Sequence, residues 1–323
     1  MRSRLIIPLL TALVLLAAPA AASAVTIGIS ENSPGMFSDP LFQRLGVKFV
    51  RVVMSYNVMT SGDDEFARVS QYLAAAQAAG IEPLVTFEHA RGDATLCNAR
   101  RNFRRSVCRL PSAAEYERNV KAFLAAFPQV HVIAPWNEIN HFTQPTSRSP
   151  KAAAGFTDIV RRDCPGCTIV AADVLDQADN PRVARPRFRK TIAYIKKFRR
   201  ALKTKRTICG IHNYSDVNRF RATGTRTLIK ALGCKQYWLT ETGGVYKFGS
   251  FWSRKTRKGC RSPAACQLKA TKYLFSLVKS NRKVKRVYVY TWFGAVTRRF
   301  DAGLVAHGKA RPAYGEIAKR LRR

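Results

Sequence analysis

VHVIAPWNEIN, residues 130–140, starts as an apolar, β-branched run and ends in a proline, a tryptophan, two amides and a carboxylate. The first half has the composition of a strand buried on both faces, and the second half that of a strand end with chemistry attached. Glu138 sits where strand gives way to loop. A helical pattern follows, KAAAGFTDIVRRDC at 151–164, and then another apolar run, TIVAADVL at 168–175. The question for the rest of the chain is how often this unit repeats.

It repeats eight times. The strand-like runs are TIGIS (26–30), VKFVRVVMSY (47–56), IEPLVTFEH (81–89), VHVIAPWNEIN, TIVAADVL, TICGIHNY (207–214), KQYWLTETGG (235–244) and VKRVYVYTWFG (284–294). Helical patterns lie between them. FARVSQYLAAAQAAG (66–80) stops at Gly80, and SAAEYERNVKAFLAAFP (112–128) opens on Ser112 with Glu115 three positions on, a capping box. Near-continuous apolar strands alternating with helices mean a parallel sheet. Eight units in about 300 residues fit a single-domain (β/α)8 TIM barrel, an α/β fold, over residues 25–323. A doubly wound sheet would carry a glycine-rich phosphate turn after its first strand, and GISENSPG has none.

The start of the chain is of another kind. MRSR is basic, LIIPLLTALVLLAAPAA is apolar, and Ala22 and Ala24 supply a small-residue cleavage site, so residues 1–24 read as a signal peptide and the mature protein as secreted, extracellular or held at the cell envelope. No later apolar run is long enough for a membrane span, which takes about 20 residues. Export permits disulfides. The eight cysteines pair by spacing as Cys97–Cys108, Cys164–Cys167 and Cys260–Cys266, leaving Cys209–Cys234. That last pair lies early in the sixth strand and just before the seventh, where neighbouring parallel strands bring the thiols together.

There are 56 Lys and Arg against 20 Asp and Glu, a net charge of +36. Such a balance favours contact with anionic polymers, whether cell-wall polymers, acidic polysaccharide, a membrane surface or nucleic acid, although any single basic run reads first as a solvated outer face. The basic runs are scattered, and no nucleic-acid fold motif accompanies them, which argues against nucleic acid as the partner. The five histidines show no metal-binding spacing, so neither a metal nor another cofactor is expected. A monomer is expected.

In a TIM barrel, chemistry gathers where strands end. The strand ends offer Arg51, Glu88, His89, Trp136, Asn137, Glu138, His212, Tyr214, Glu241 and Trp292. Glu138 and Glu241, three units apart, would face each other across the mouth, and two carboxylates flanking a glycosidic bond are the machinery of most glycosidases. Asp173 and Asp176 in the fifth unit are rival carboxylates.

WNE at the fourth strand end and TETG at the seventh resemble glycoside hydrolase clan A, retaining (β/α)8 glycosidases with the acid/base on strand four and the nucleophile on strand seven. Arg51, His89, Asn137–Glu138, His212 with Tyr214, Glu241 and Trp292 follow the order of the cellulase-like family 5. The compact exported chain is also similar to family 39-like members. Ile139 departs from the pattern, standing where many members have proline. The resemblance implies a retaining glycoside hydrolase acting on a polysaccharide or oligosaccharide. Glu241 is then the nucleophile, partnered by Arg51 and Tyr214. Glu138 is the acid/base, with its pKa raised by the nearby charge, and Asn137 holds the sugar 2-hydroxyl. His89 and His212 contact substrate, Trp292 is a sugar platform, and Trp136 packs behind the site. Retention implies carboxyl groups about 5–5.5 Å apart. The other reading is a non-catalytic carbohydrate- or cell-wall-binding barrel whose basic surface holds anionic polymers.

Overall fold

The computed structural model describes residues 25–91, 108–180, 183, 186–205, 207–249, 260–294 and 299–322. The expected signal peptide and Cys97 lie outside them. Eight parallel strands close a barrel in sequence order: β1 (Thr26–Ser30), β2 (Phe49–Ser55), β3 (Glu82–Glu88), β4 (Val132–Ala134), β5 (Thr168–Leu175), β6 (Ile208–His212), β7 (Gln236–Thr242) and β8 (Val284–Tyr290). The ring shuts where Gly28 of β1 pairs with Tyr288 of β8. The expected (β/α)8 architecture is the one observed.

The helices among the described residues are α1 (Pro40–Leu45), α2 (Asp63–Ala78), α3 (Ala113–Ala126), α4 (Pro150–Asp163), α5 (Arg189–Ala201), α6 (Tyr214–Arg219), α7 (Thr223–Leu232), α8 (Pro263–Lys279) and α9 (Pro312–Leu321). Their ends follow local chemistry. Gly80, at φ +61°, ends α2 as its sequence predicts. Ser112 accepts from the Glu115 N–H at 3.1 Å, but the reciprocal half of the capping box is missing: the Glu115 carboxylate turns to Arg109 and the Tyr56 hydroxyl instead. Two short antiparallel ribbons, Lys247–Phe248 with Phe300–Asp301 and Val305–Ala306 with Lys309–Ala310, decorate the seventh and eighth units and were not legible as strands.

Strand alternation sorts the barrel interior into layers. At the bottom the Arg286 guanidinium stacks on Phe49 and Trp238, at 4.0 and 4.2 Å from the ring centroids, and pairs with Glu82. Above it Leu84, Val132, Ala134, Val170, Trp238 and Tyr288 form a small inner apolar plug, separate from the larger core between barrel and helices. The next layer is polar yet fully buried: Ser30, Arg51, Thr86, Asp173, His212 and Thr240. The larger core holds the fold, and the polar layer supports whatever stands at the mouth.

Disulfides join Cys164 to Cys167 and Cys209 to Cys234, both as expected. The second spans 25 residues and ties β6 to the turn before β7, a constraint worth about 2–4 kcal/mol. The expected Cys260–Cys266 bridge is not formed. Ser262 caps α8 by accepting from the Ala265 N–H, which seats Cys266 inside the helix and in the core, while Cys260 stays on the chain before the cap.

Gly210 in β6 shows how tight the polar layer is. A Cβ there would come within 1.8 Å of Asp173 Oδ1 and 2.6 Å of Thr240 Oγ1. Gly155 in α4 has nothing within 4 Å of its would-be Cβ. Gly210→Ala should therefore destabilise the fold by about 3 kcal/mol or more through overpacking. Gly155→Ala should stabilise it by about 0.5–1 kcal/mol through helix propensity. Denaturant midpoints of the two variants check this; equal effects would contradict the layering.

Candidate active site

Arg51 projects from β2 into the barrel with no solvent exposure. Its Nη1 donates to Glu241 Oε2 at 2.7 Å and to Ser30 Oγ at 3.2 Å. Its Nη2 donates to Asn137 Oδ1 at 2.8 Å and Asp173 Oδ2 at 3.1 Å, and its Nε to Thr86 Oγ1 at 3.2 Å. The other oxygen of Glu241 accepts from the Tyr214 hydroxyl at 3.0 Å. Both oxygens of that carboxylate are thus held, and one edge stays open to the mouth.

Glu138 lies four residues beyond the end of β4, in a turn, with φ at +44°. A left-handed glutamate is strained, by about 1–2 kcal/mol. The turn is pinned on both sides: the Asn137 N–H donates to Phe87 O at 2.7 Å and the Ile139 N–H to Asp173 O at 2.9 Å. This accounts for Ile139, since proline has no N–H to give and Ile139 is also buried in the core. The Glu138 carboxylate then meets His212 Nδ1 at 3.0 Å and His141 Nδ1 at 3.5 Å.

The electrostatics reverse one expectation. Burial pushes the Glu138 carboxyl up, but the hydrogen bond and charge of His212, with His141 and Arg51, outweigh it and hold its pKa below the usual value. Burial opposes a charge on His212, whose Nε2 lies 3.4 Å from Arg51 Nη2. The carboxylates of Glu241, Asp173 and Glu138 outweigh that opposition and raise its pKa to about 9. Glu138 and His212 therefore share one proton over the neutral range and titrate as a pair. Asp173 is also held low: burial opposes this, and His212, Arg51 and Thr240 prevail.

A cleft of about 650 Å³ opens above these groups and is lined by Glu138, Glu241, Tyr214, Asp176 and Arg219, with Phe142, Phe248, Tyr290 and Phe300 as its aromatic walls. Arg51, Asn137, Glu138, His212, Tyr214 and Glu241 come together as the sequence led one to expect. Tyr214 does so from the first residue of α6 and not from the strand. Trp136 packs behind the site, stacked on Tyr56 and Phe156.

Two expected contacts are not made. Alternation from Leu84 and Thr86 turns Glu88 inward, where it accepts from Asn137 Nδ2 at 3.1 Å. His89 turns outward, its Nδ1 against Ala90 O and Cys108 Sγ. Trp292 is completely buried between Phe42 and Tyr314, and its Nε1–H donates to Asp39. Glu31 accepts the backbone N–H groups of Trp292 and Phe293 and fixes that segment away from the mouth. The aromatic that β8 offers to the cleft is Tyr290, two residues earlier, which the alternation of VYVY signals. Asp176 lines the cleft, but its oxygens accept from the Ser215 and Asp216 N–H groups; burial and the nearby Asp216 push its pKa up.

No protein-family model matches the chain, and no curated protein matches it. Many solved structures do match. A family 1 β-glucosidase from Thermotoga maritima aligns over 92% of this chain and 97% of its own at 11% identity, with a TM-score of 0.58. Xylanase XynB from Paenibacillus barcinonensis aligns over 92% and 96% at 13% identity, TM-score 0.62. A family 39 glycoside hydrolase from Bacteroides cellulosilyticus aligns over 93% and 64% at 13% identity, TM-score 0.55. At such identities the likeness establishes the fold.

The His212 charge predicts a pH dependence of stability. A pKa raised above its ordinary value of 6.5 stabilises the fold fully below about pH 6.5, and that stability is lost as pH rises through about 9. Thermal melting between pH 6 and 9.5 should show this decline in the wild type and a much flatter profile in His212→Gln. Parallel profiles would show that His212 does not carry the proton.

Proposed function

We propose that the protein is a retaining glycoside hydrolase acting on a polysaccharide or oligosaccharide, with Glu241 as nucleophile and Glu138 as acid/base. The observation that carries this is the unequal treatment of the two carboxylates. Glu241 is fixed through both oxygens by Arg51 and Tyr214, as a group that must attack in one orientation needs to be. Glu138 is joined to a titrating imidazole, as a group that must give and regain a proton needs to be. The resemblance of WNE and TETG to clan A and the glycosidase neighbours support the same reading. Export through residues 1–24 fits the two disulfides.

In the first step a Glu241 oxygen bonds to the anomeric carbon as the glycosidic C–O bond breaks, and Glu138 protonates the leaving oxygen. Forming the ester removes the Glu241 charge, the largest of the influences that favour a charged His212. The pair then holds one proton fewer and is ready to accept one. In the second step water attacks the anomeric carbon, Glu138 takes its proton, and Glu241 is released. One Asn137 amide hydrogen is engaged by Glu88, and the other is placed for the sugar 2-hydroxyl. Tyr290 and Phe300 stand where pyranose C–H faces can pack, the role first assigned to Trp292.

A panel of soluble β-glycans, followed by proton NMR of the first product anomer, tests the proposal; retention is expected, and inversion would overturn the double displacement. Glu241→Gln should lose about 10³-fold or more on every substrate. Glu138→Gln should lose about 10²–10⁴-fold in kcat/KM on natural glycans but little in kcat/KM on aryl glycosides whose leaving group needs no proton, while kcat on those aryl glycosides falls because the second step still needs the base.

The shared proton makes a second prediction. The alkaline limb of kcat/KM should lie near the pH of about 9 at which His212 gives up its proton. In His212→Gln it should move to lower pH, because Glu138 then holds the proton alone. An unmoved limb would remove His212 from the proton path.

A further inference from the structure

A second cleft, of about 770 Å³, lies outside the barrel between α5 and α7. Lys196, Arg199 and Arg200 of α5, Lys205 after it, and Lys230 of α7 line it. Ile192, Thr227 and Ala231 complete the lining, so it contains no carboxylate and no aromatic ring. Between residues 181 and 235 the sequence has 17 Lys or Arg and one acid, Asp216. Asp216 is buried, accepts from the Gly224 and Thr225 N–H groups, and faces Arg221.

Two of the five cations have structural work. Lys205 Nζ turns back to the carbonyls of Arg199, Arg200 and Leu202 and caps α5, and Arg199 Nη1 reaches Ala231 O at 3.5 Å, joining the two helices. Lys196, Arg200 and Lys230 are exposed and point no charge at a protein anion in this lining. Arg200 and Lys230 stand in the last turns of α5 and α7, where a cation suits the helix dipole, but unlike those of Lys205 and Arg199 their charged ends are open to a ligand, as is that of Lys196 one turn earlier.

We infer that this cleft is a binding site for an acidic polysaccharide, a linear glycan with one carboxylate per sugar. Lys196 and Arg200 are four residues apart on one face of α5, about 6 Å along the axis, comparable to the length of one pyranose unit in an extended glycan. Successive carboxylates would meet successive cations, with Lys230 facing them from α7. Single-stranded nucleic acid usually gains much of its affinity from base stacking on aromatic rings, and none is present here. Helices run antiparallel to the strands, so the C-terminal halves of α5 and α7 lie at the end of the barrel opposite Glu138 and Glu241. A polymer held there leaves the mouth clear, and the protein can rest on an acidic matrix while its other end works on a different chain.

Binding to polygalacturonate, read by isothermal titration without reference to hydrolysis, tests this. The wild type should bind, and binding should weaken as salt rises. The variant K196Q/R200Q/K230Q should lose about ten-fold or more in affinity, with a shallower salt dependence. The control R282Q/K283Q/K285Q removes the same charge from an exposed surface at another site and should lose about three-fold or less. Equal losses in the two variants would reduce the effect to net charge and overturn the site. A single-stranded 20-nucleotide DNA binding the wild type more tightly than polygalacturonate would overturn the ligand. Matching melting temperatures show that all three proteins are folded.

Discussion

A guanidinium without water sets the terms for this structure. Arg51 is fully buried, and its donors must be satisfied by protein. They are met by Ser30 of β1, Thr86 of β3, Asn137 beyond β4, Asp173 of β5 and Glu241 of β7, while His212 of β6 stands beside it. One side chain thus gauges the ends of most of the barrel strands against one another. Its pKa is raised despite burial, because Asp173 and Glu241 hold the charge in place. Removing one partner from such a buried set costs on the order of 3–5 kcal/mol, mostly because the others are left unpaired. The barrel below can tolerate repacking; this layer cannot.

From that layer the two carboxylates acquire different characters. Glu241 is bound to the guanidinium directly. Glu138 is reached through His212 and is carried on a strained turn that two backbone hydrogen bonds from β3 and β5 hold in place. Strain of this kind persists only where its surroundings fix it, and here both fixing strands also bear members of the polar layer, Thr86 and Asp173. The fold, the turn and the proton-sharing pair are one connected arrangement, so the chemistry is attached to the fold at its most constrained depth.

Much of this was legible in the sequence because apolar periodicity and strand ends are local signals. Eight runs gave eight strands, and WNE and TETG placed both glutamates at the same mouth. What failed was parity and extent. Reading IEPLVTFEH to its last residue selected His89, whereas counting by twos from Leu84 selects Glu88. Reading VYVYTWF to its tryptophan selected Trp292, whereas β8 ends at Tyr290 and Glu31 carries the next residues away. The raised pKa expected of Glu138 came from considering one neighbour, Glu241; the structure adds two histidines and an arginine of opposite sign. The turn at Glu138 left no mark in the sequence, because a left-handed glutamate is set by long-range hydrogen bonds. Cys260 and Cys266 have the spacing of a local bridge, but no disulfide joins them.

The central claim is that Glu241 becomes covalently bonded to sugar. The most direct measurement is mass spectrometry of peptides after incubation with a 2-deoxy-2-fluoro β-glycoside fluoride of whichever sugar the protein hydrolyses, because the fluorine slows the second step and preserves the ester. A single added glycosyl group on the peptide containing Glu241, absent in Glu241→Gln, is the predicted result. A label on Glu138, Asp173, Asp176 or any other residue would contradict it.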